Sequence, residues 1–241
     1  MQEIILEDDN MAFRTREAYK TLRSNIEFSG NDIKVIAVTS CTPNEGKSEV
    51  SFQLARSVAQ NHKKVLLIDA DMRKSVMRVH FKSGKVHYGL SNFLVKRCQL
   101  GEAVCKTDET GFNMIFSGPV PPNPSELLNN SQFHDMLART REIYDYIIID
   151  TPPLGSVIDS AVIAQQCDGA VIVMEAGAIS YHFAQKVQEQ LKKADCKILG
   201  CVLNKVEMSS GKGYYGKYYG KYYGKYYGKY YGEYYGNDSQ K

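Results

Sequence analysis

Six short apolar runs punctuate the chain: VIAVTS (35–40), VLLIDAD (65–71), NMIFSG (113–118), YIIIDTPP (146–153), AVIVMEA (170–176) and ILGCVLNKV (198–206). They are continuous rather than alternating in polarity, the pattern of strands covered on both faces of a parallel sheet. The segments between them are long enough for crossover helices. Residues 48–62, with Phe52, Leu54, Ala55, Val58 and Ala59 on one stripe, read as one such helix. Residues 15–28 read as another, through Ala18, Leu22 and Ile26. Strands alternating with helices predict a doubly wound, mainly parallel α/β fold over residues 1–210.

From Gly211 onward the pattern changes to a four-residue repeat, K-Y-Y-G, that holds twelve of the 17 tyrosines. Glycine at every fourth place costs a helix about 1 kcal/mol each time, and the repeat has no apolar face to bury in return. Residues 211–241 are therefore expected to be a flexible tail. The net charge of +3 divides unevenly: the tail carries +4 and the first 210 residues −1. A nearly neutral body argues against a nucleic-acid partner. No apolar run approaches the ~20 residues that span a bilayer, and MQEIILEDDN lacks the basic start of a signal peptide. Six cysteines without metal-ligand spacing read as free thiols. The cytoplasm is therefore the expected location.

The stretch VIAVTSCTPNEGKSEV reads as strand, loop and helix start, with Gly46-Lys47-Ser48 closing a phosphate-binding loop. Backbone N–H groups at such a helix start face phosphates, the lysine reaches the β/γ oxygens, and the serine ligates Mg²⁺. The strict G-x-x-x-x-G-K-[ST] pattern is broken, because Cys41 stands at its first glycine. Asp69, Asp71 and Asp150 follow two other apolar runs, so all three carboxylates emerge where open α/β sheets bind ligands. Three carboxylates beside a G-K-S loop are what a Mg²⁺–nucleotide site requires.

With these motifs in hand, the chain resembles the bacterial tyrosine kinases that regulate capsular and extracellular polysaccharide synthesis, in the subtype whose kinase is separate from its transmembrane activator. TSCTPNEGKS stands for Walker A, LLIDADMR for an extra Walker A′ and YIIIDTPP for Walker B; GPVPPNPSELL (118–128), the EAYKTLR helix and the tyrosine cluster complete the likeness. The resemblance implies ATP as phosphoryl donor and Mg²⁺ as cofactor. Thr42, Pro43, Asn44, Glu45, Gly46, Lys47, Ser48 and Glu49 would wrap the nucleotide, and Asn204 would recognise adenine. Ser48, Asp71 and Asp150 would hold the metal. Lys47 would stabilise the departing γ-phosphoryl, and Asp69 would accept the proton of an incoming tyrosine. The acceptors would be Tyr214, Tyr215, Tyr218, Tyr219, Tyr222, Tyr223, Tyr226, Tyr227, Tyr230, Tyr231, Tyr234 and Tyr235, phosphorylated in trans within a homo-oligomer, in the family a ring, built through Glu17, Lys20 and Arg23. A transmembrane co-polymerase-type protein would recruit the kinase to the inner face of the membrane and activate it, and a protein-tyrosine phosphatase would reset it.

Three positions depart from the family pattern. Asn44 replaces a glycine, and asparagine tolerates the left-handed backbone such a site needs. Glu49 replaces a threonine, which predicts weaker nucleotide affinity unless its carboxylate turns outward. Lys20 replaces an arginine, which keeps the charge but loses the planar fork. Two other readings remain. A switch ATPase of the positioning or partition class would carry a lysine where this chain has Thr42. An interaction protein using its Tyr/Lys tail on anionic lipid or nucleic acid would leave the G-K-S loop and three carboxylates without a role.

Overall fold

The sheet of the computed structural model has nine strands, and both of its faces are covered; residues 1–8 and 10–206 are described. In chain order, β1 (Gln2–Leu6), α1 (Phe13–Glu27), β2 (Val35–Ser40), α2 (Lys47–Gln60) and β3 (Val65–Asp69) are followed by a 3₁₀ turn (Met77–His80) and β4 (Phe81–Gly84). Next come α3 (Leu90–Leu94), α4 (Leu100–Ala103), β5 (Cys105–Thr107), β6 (Phe112–Ile115), α5 (Pro124–Leu128) and α6 (Ser131–Arg141). The chain then runs through β7 (Tyr146–Asp150), α7 (Asp159–Ala164), β8 (Gly169–Glu175), α8 (Tyr181–Lys193) and β9 (Ile198–Asn204). The order across the sheet is β4-β1-β5-β6-β3-β7-β2-β8-β9. All neighbours are parallel except β1 with β4 and β5 with β6.

The apolar runs are strands for the expected reason. Along β2, Val35 and Ala37 join the core on one face, while Ile36 and Val38 join the core on the other. The first core is completed by α6, α7 and α8 through Phe133, Leu137, Ile163, Val187 and Leu191. The second is completed by α2 through Val50, Phe52, Leu54, Ala55 and Val58, with Ile26 of α1. A strand covered on both sides cannot alternate in polarity, so the doubly wound, mainly parallel sheet is as expected.

Several details differ from the sequence reading. The helix expected over residues 48–62 ends at Gln60, and His62 turns left-handed at φ 58°. The run expected over residues 198–206 is a strand only as far as Asn204, the last residue of β9. The N-terminal IIL stretch, read only as part of an acidic start, is β1, with Ile4 and Leu6 buried. The expected tail, its boundary at 210/211 and its twelve tyrosines lie outside the described residues.

Candidate nucleotide and phosphoryl-transfer site

Strand register builds the acidic part of the site. β3 and β7 are parallel neighbours, and Asp69 is the direct partner of Asp150. Paired residues of adjacent strands point to the same face, so the two carboxylates stand side by side. Asp71 lies two residues past the end of β3. All three aspartates are almost wholly buried.

The phosphate loop leaves β2, the other neighbour of β7, and rises into α2. Asn44 has φ 69°, the left-handed backbone that asparagine accommodates. Gly46 has φ 88°, and a Cβ there would lie 2.2 Å from Nδ2 of Asn204, so this position admits only glycine. Glu45 is buried and faces away from solvent into the loop's own backbone. Its carboxylate accepts the Thr42 N–H at 2.5 Å and the Glu175 N–H at 3.2 Å. The Asn204 amide donates to the Glu45 carbonyl at 2.9 Å, and Lys205 Nζ donates to the Asn44 carbonyl at 2.6 Å. The ends of β8 and β9 thereby brace the loop from outside. In this structure Asn204 is a loop clasp.

Lys47 opens α2 and turns onto the carboxylates. Its Nζ is 3.1 Å from Asp71 Oδ2, 3.6 Å from Asp150 Oδ2 and 3.1 Å from Ser48 Oγ. Burial opposes the ammonium charge, but Asp150 and Asp71 outweigh it and hold Lys47 above the ordinary lysine range. Ser51, one turn on, donates to Asp150 Oδ1 at 3.1 Å. Asp69 is different. Burial, followed by the neighbouring Asp150, pushes its carboxyl up to about 7, against the opposing hydrogen bonds from Ser75 and the Ser117 N–H. A buried carboxyl poised near neutrality is suited to exchange a proton at physiological pH.

Among the described residues, no three His, Cys, Asp or Glu side chains are arranged to hold a metal unaided. The donors that do converge, the Ser48 hydroxyl with Asp71 and Asp150 around Lys47, are hard oxygens. That set suits Mg²⁺, which binds through one or two protein oxygens, water and substrate phosphates rather than an all-protein cage.

The wall of the site is tied to distant helices. Arg73 forms a bidentate pair with Asp159 of α7 at 2.8 and 3.1 Å, and Ser125 of α5 donates to the same carboxylate at 2.6 Å. The GPVPPNPSELL stretch thus supplies one corner of a three-way tie behind the Walker A′ loop. A cleft of about 320 Å³ lies between these parts, lined by Gly46, Lys47, Ser48, Asp71, Lys74 and Pro152 among others. Glu49 stands at its edge with a half-exposed side chain.

Sequence reasoning missed the parts played by Ser51, Ser75, Arg73 and the Glu45 side chain. Of these, only Ser51 carried a readable signal, lying one helical turn beyond the lysine. The expected interface triplet is divided: Lys20 pairs with Glu17 at 2.7 Å on the exposed face of α1, whereas Arg23 donates to the Ser57 carbonyl of α2 at 2.8 Å.

Comparison with known proteins gives the family. A family described as an AAA domain matches residues 33–199. The chain is 45% identical over 219 residues to the tyrosine-protein kinase CpsD of Streptococcus agalactiae, covering 89% of this chain and 96% of that protein. It is 38% identical to the tyrosine-protein kinase YwqD of Bacillus subtilis, covering 83% of this chain and 86% of the relative. The solved kinase domain of the Escherichia coli tyrosine kinase ETK superposes with a TM-score of 0.76 at 32% identity, over 86% of this chain and 83% of that domain. With such identity to its relatives over most of their length, the chain belongs to the bacterial tyrosine-protein kinases.

Proposed function

We propose that this kinase uses Mg²⁺-ATP to phosphorylate the twelve tyrosines of its own tail, Tyr214 to Tyr235, on a second copy of the chain. The observation that carries the reading is Lys47 lying within 4 Å of the Asp71 and Asp150 carboxylates, with the near-neutral Asp69 alongside. Lys47 and the backbone of residues 42–49 bind the β- and γ-phosphates. Ser48, Asp71 and Asp150 would hold Mg²⁺, which when bound would neutralise phosphate charge. The tyrosine oxygen forms a bond to the γ-phosphorus as the bond to the β-phosphate oxygen breaks. The phenolic proton passes to Asp69, and ADP leaves. Free tyrosine ionises near pH 10, so a base near pH 7 lowers the demand on the transition state.

The cationic character of the tail, +4 over residues 211–241, draws it toward ATP and the acidic site. Each phosphotyrosine adds about −1.5 to −2 charges, so six of them would turn the tail from +4 to roughly −5 to −8 and favour its ejection. By resemblance, the resulting cycle regulates capsule or extracellular polysaccharide synthesis and export. A transmembrane co-polymerase-type activator drives it at the inner face of the membrane, and a tyrosine phosphatase reverses it. Among the described residues, no helix is long and apolar enough to cross a membrane.

The test is intact mass after incubation with Mg²⁺-ATP and an activator's cytoplasmic segment. Wild type should gain successive single phosphates, while Lys47→Met and a chain truncated at Gly211 should gain none. ADP release without phosphate gain in wild type would instead support the switch-ATPase alternative.

A further inference from the structure

Two successive carbonyls of the phosphate loop are tied to one strand end. Lys205, the first residue after β9, donates from Nζ to the Asn44 carbonyl at 2.6 Å, and the Asn204 amide donates to the Glu45 carbonyl at 2.9 Å. Among the described residues every peptide bond is trans, and a trans peptide carries its C=O and its N–H in opposite directions. Tying these carbonyls to the end of β9 therefore turns the N–H groups of Glu45 and Gly46 away from it. Asn44 at φ 69° and Gly46 at φ 88° supply the left-handed turns around which successive N–H groups form a nest for an anion.

Lys205 is held in place for this contact. Its own backbone is left-handed at φ 54°, a conformation that a lysine seldom adopts. Its Nζ is shared with Glu175 Oε2 at 2.8 Å. Glu175 is the strand partner of Asn204, and the Ala176 N–H donates to the Asn204 carbonyl at 2.9 Å, so that carboxylate comes from a fixed strand end. The Glu45 carboxylate closes the circuit, accepting the Glu175 N–H at 3.2 Å and the Thr42 N–H at 2.5 Å. Loop and strand ends thus form one ring of bonds, in which Lys205 supplies the charge-assisted link to Asn44.

We infer that Lys205 is a positioning residue for phosphate binding: from outside the loop it holds the Asn44 carbonyl, and with it the Glu45 N–H, in the orientation that receives an anion. The inference rests on the reading of residues 42–49 as the triphosphate cradle. It assigns Lys205 no contact with the nucleotide. Lys47 and Lys205 then divide the work, one turned onto the carboxylates of the site and the other onto the back of the loop.

Competition titration of the full-length protein tests this, with Mg²⁺, a fluorescent ATP analogue as tracer, and ATP or inorganic tripolyphosphate as competitor. The Lys205 side chain is about half exposed, so Lys205→Met keeps an unbranched stem and removes the donor without opening the core. It should weaken both competitors by the same factor, about tenfold, with an unmoved midpoint in denaturant. Lys205→Arg restores a cationic donor and should stay within about threefold of wild type. Weaker ATP binding with unchanged tripolyphosphate binding would mean that Lys205 meets the nucleoside itself, and the inference fails. It fails as well if Lys205→Met binds both competitors as wild type does, or if its weaker binding comes with a lowered midpoint that Lys205→Arg leaves lowered. Unaltered tripolyphosphate binding in Lys47→Met overturns the cradle reading, a result distinct from these.

Discussion

The two oxygens of Asp69 have different neighbours: Oδ1 accepts the Asp71 N–H at 3.3 Å, while Oδ2 accepts the Ser75 hydroxyl and the Ser117 N–H. These bonds lower the carboxyl's proton affinity, yet burial and Asp150 prevail and leave it near 7. Because kcat/KM reports ionisations of the free enzyme, it should rise with pH through a limb near 7 as Asp69 loses its proton. Asp69→Asn should abolish that limb and slow transfer about 10²–10⁴-fold. A limb that persists unmoved in the variant belongs to another group and removes Asp69 from the role. At this scale the sequence was unevenly informative. Lys47, Ser48, Asp69, Asp71 and Asp150 could be read because each sits in a short stretch at the end of an apolar run. The function of the Glu45 side chain was hidden, because its acceptor role depends on Glu175, 130 residues away.

Among the elements, α1 shows most clearly how a residue can serve two surfaces. It buries only Ile26 fully, with Tyr19 and Leu22 packed partly buried against the same core, and polar ties to α2 add to its docking. Arg23 Nη1 donates to the Ser57 carbonyl at 2.8 Å, its Nε lies 3.9 Å from Glu27, and Asn61 donates to Glu27 at 3.3 Å. Arg23→Ala should therefore cost about 1–3 kcal/mol of stability, visible as a lower midpoint in denaturant. Lys20→Ala, which breaks only an exposed pair, should move stability by less than about 0.5 kcal/mol. Equal midpoints for the two variants would show that Arg23 does not anchor the helix. The contrast matters for reading assembly: an oligomerisation defect in an Arg23 variant must be corrected for a loosened α1, whereas one in a Lys20 variant need not be. The helix was legible from its spacing, but the direction of each charged side chain was not. β1 escaped notice for a different reason. Its five residues gain strand character only by pairing with β4 and β5, about 80 to 100 residues downstream.

On the scale of the whole molecule, the sheet order makes β3, β7 and β2 consecutive, which gathers two strand-end aspartates and the phosphate loop at one edge. Continuous apolar runs announced the parallel sheet. The order of its strands was not available from any run by itself, because it depends on which crossover passes over which face. One consequence concerns Lys47, which already has partners in Asp71 and Asp150. To reach a phosphate it must leave them, and buried carboxylates stripped of their cation cost about 3–5 kcal/mol. On the reading proposed here, nucleotide binding is then a counterion exchange: the lysine moves to the phosphates only if another cation takes its place. Titration of ATP with the metal chelated should show affinity at least about a hundredfold weaker than with Mg²⁺; equal affinities would mean that Lys47 keeps its carboxylates throughout. A lysine that serves as the site's resident cation makes metal and nucleotide obligate co-ligands, so the kinase would respond to the Mg²⁺ complex of ATP rather than to ATP itself.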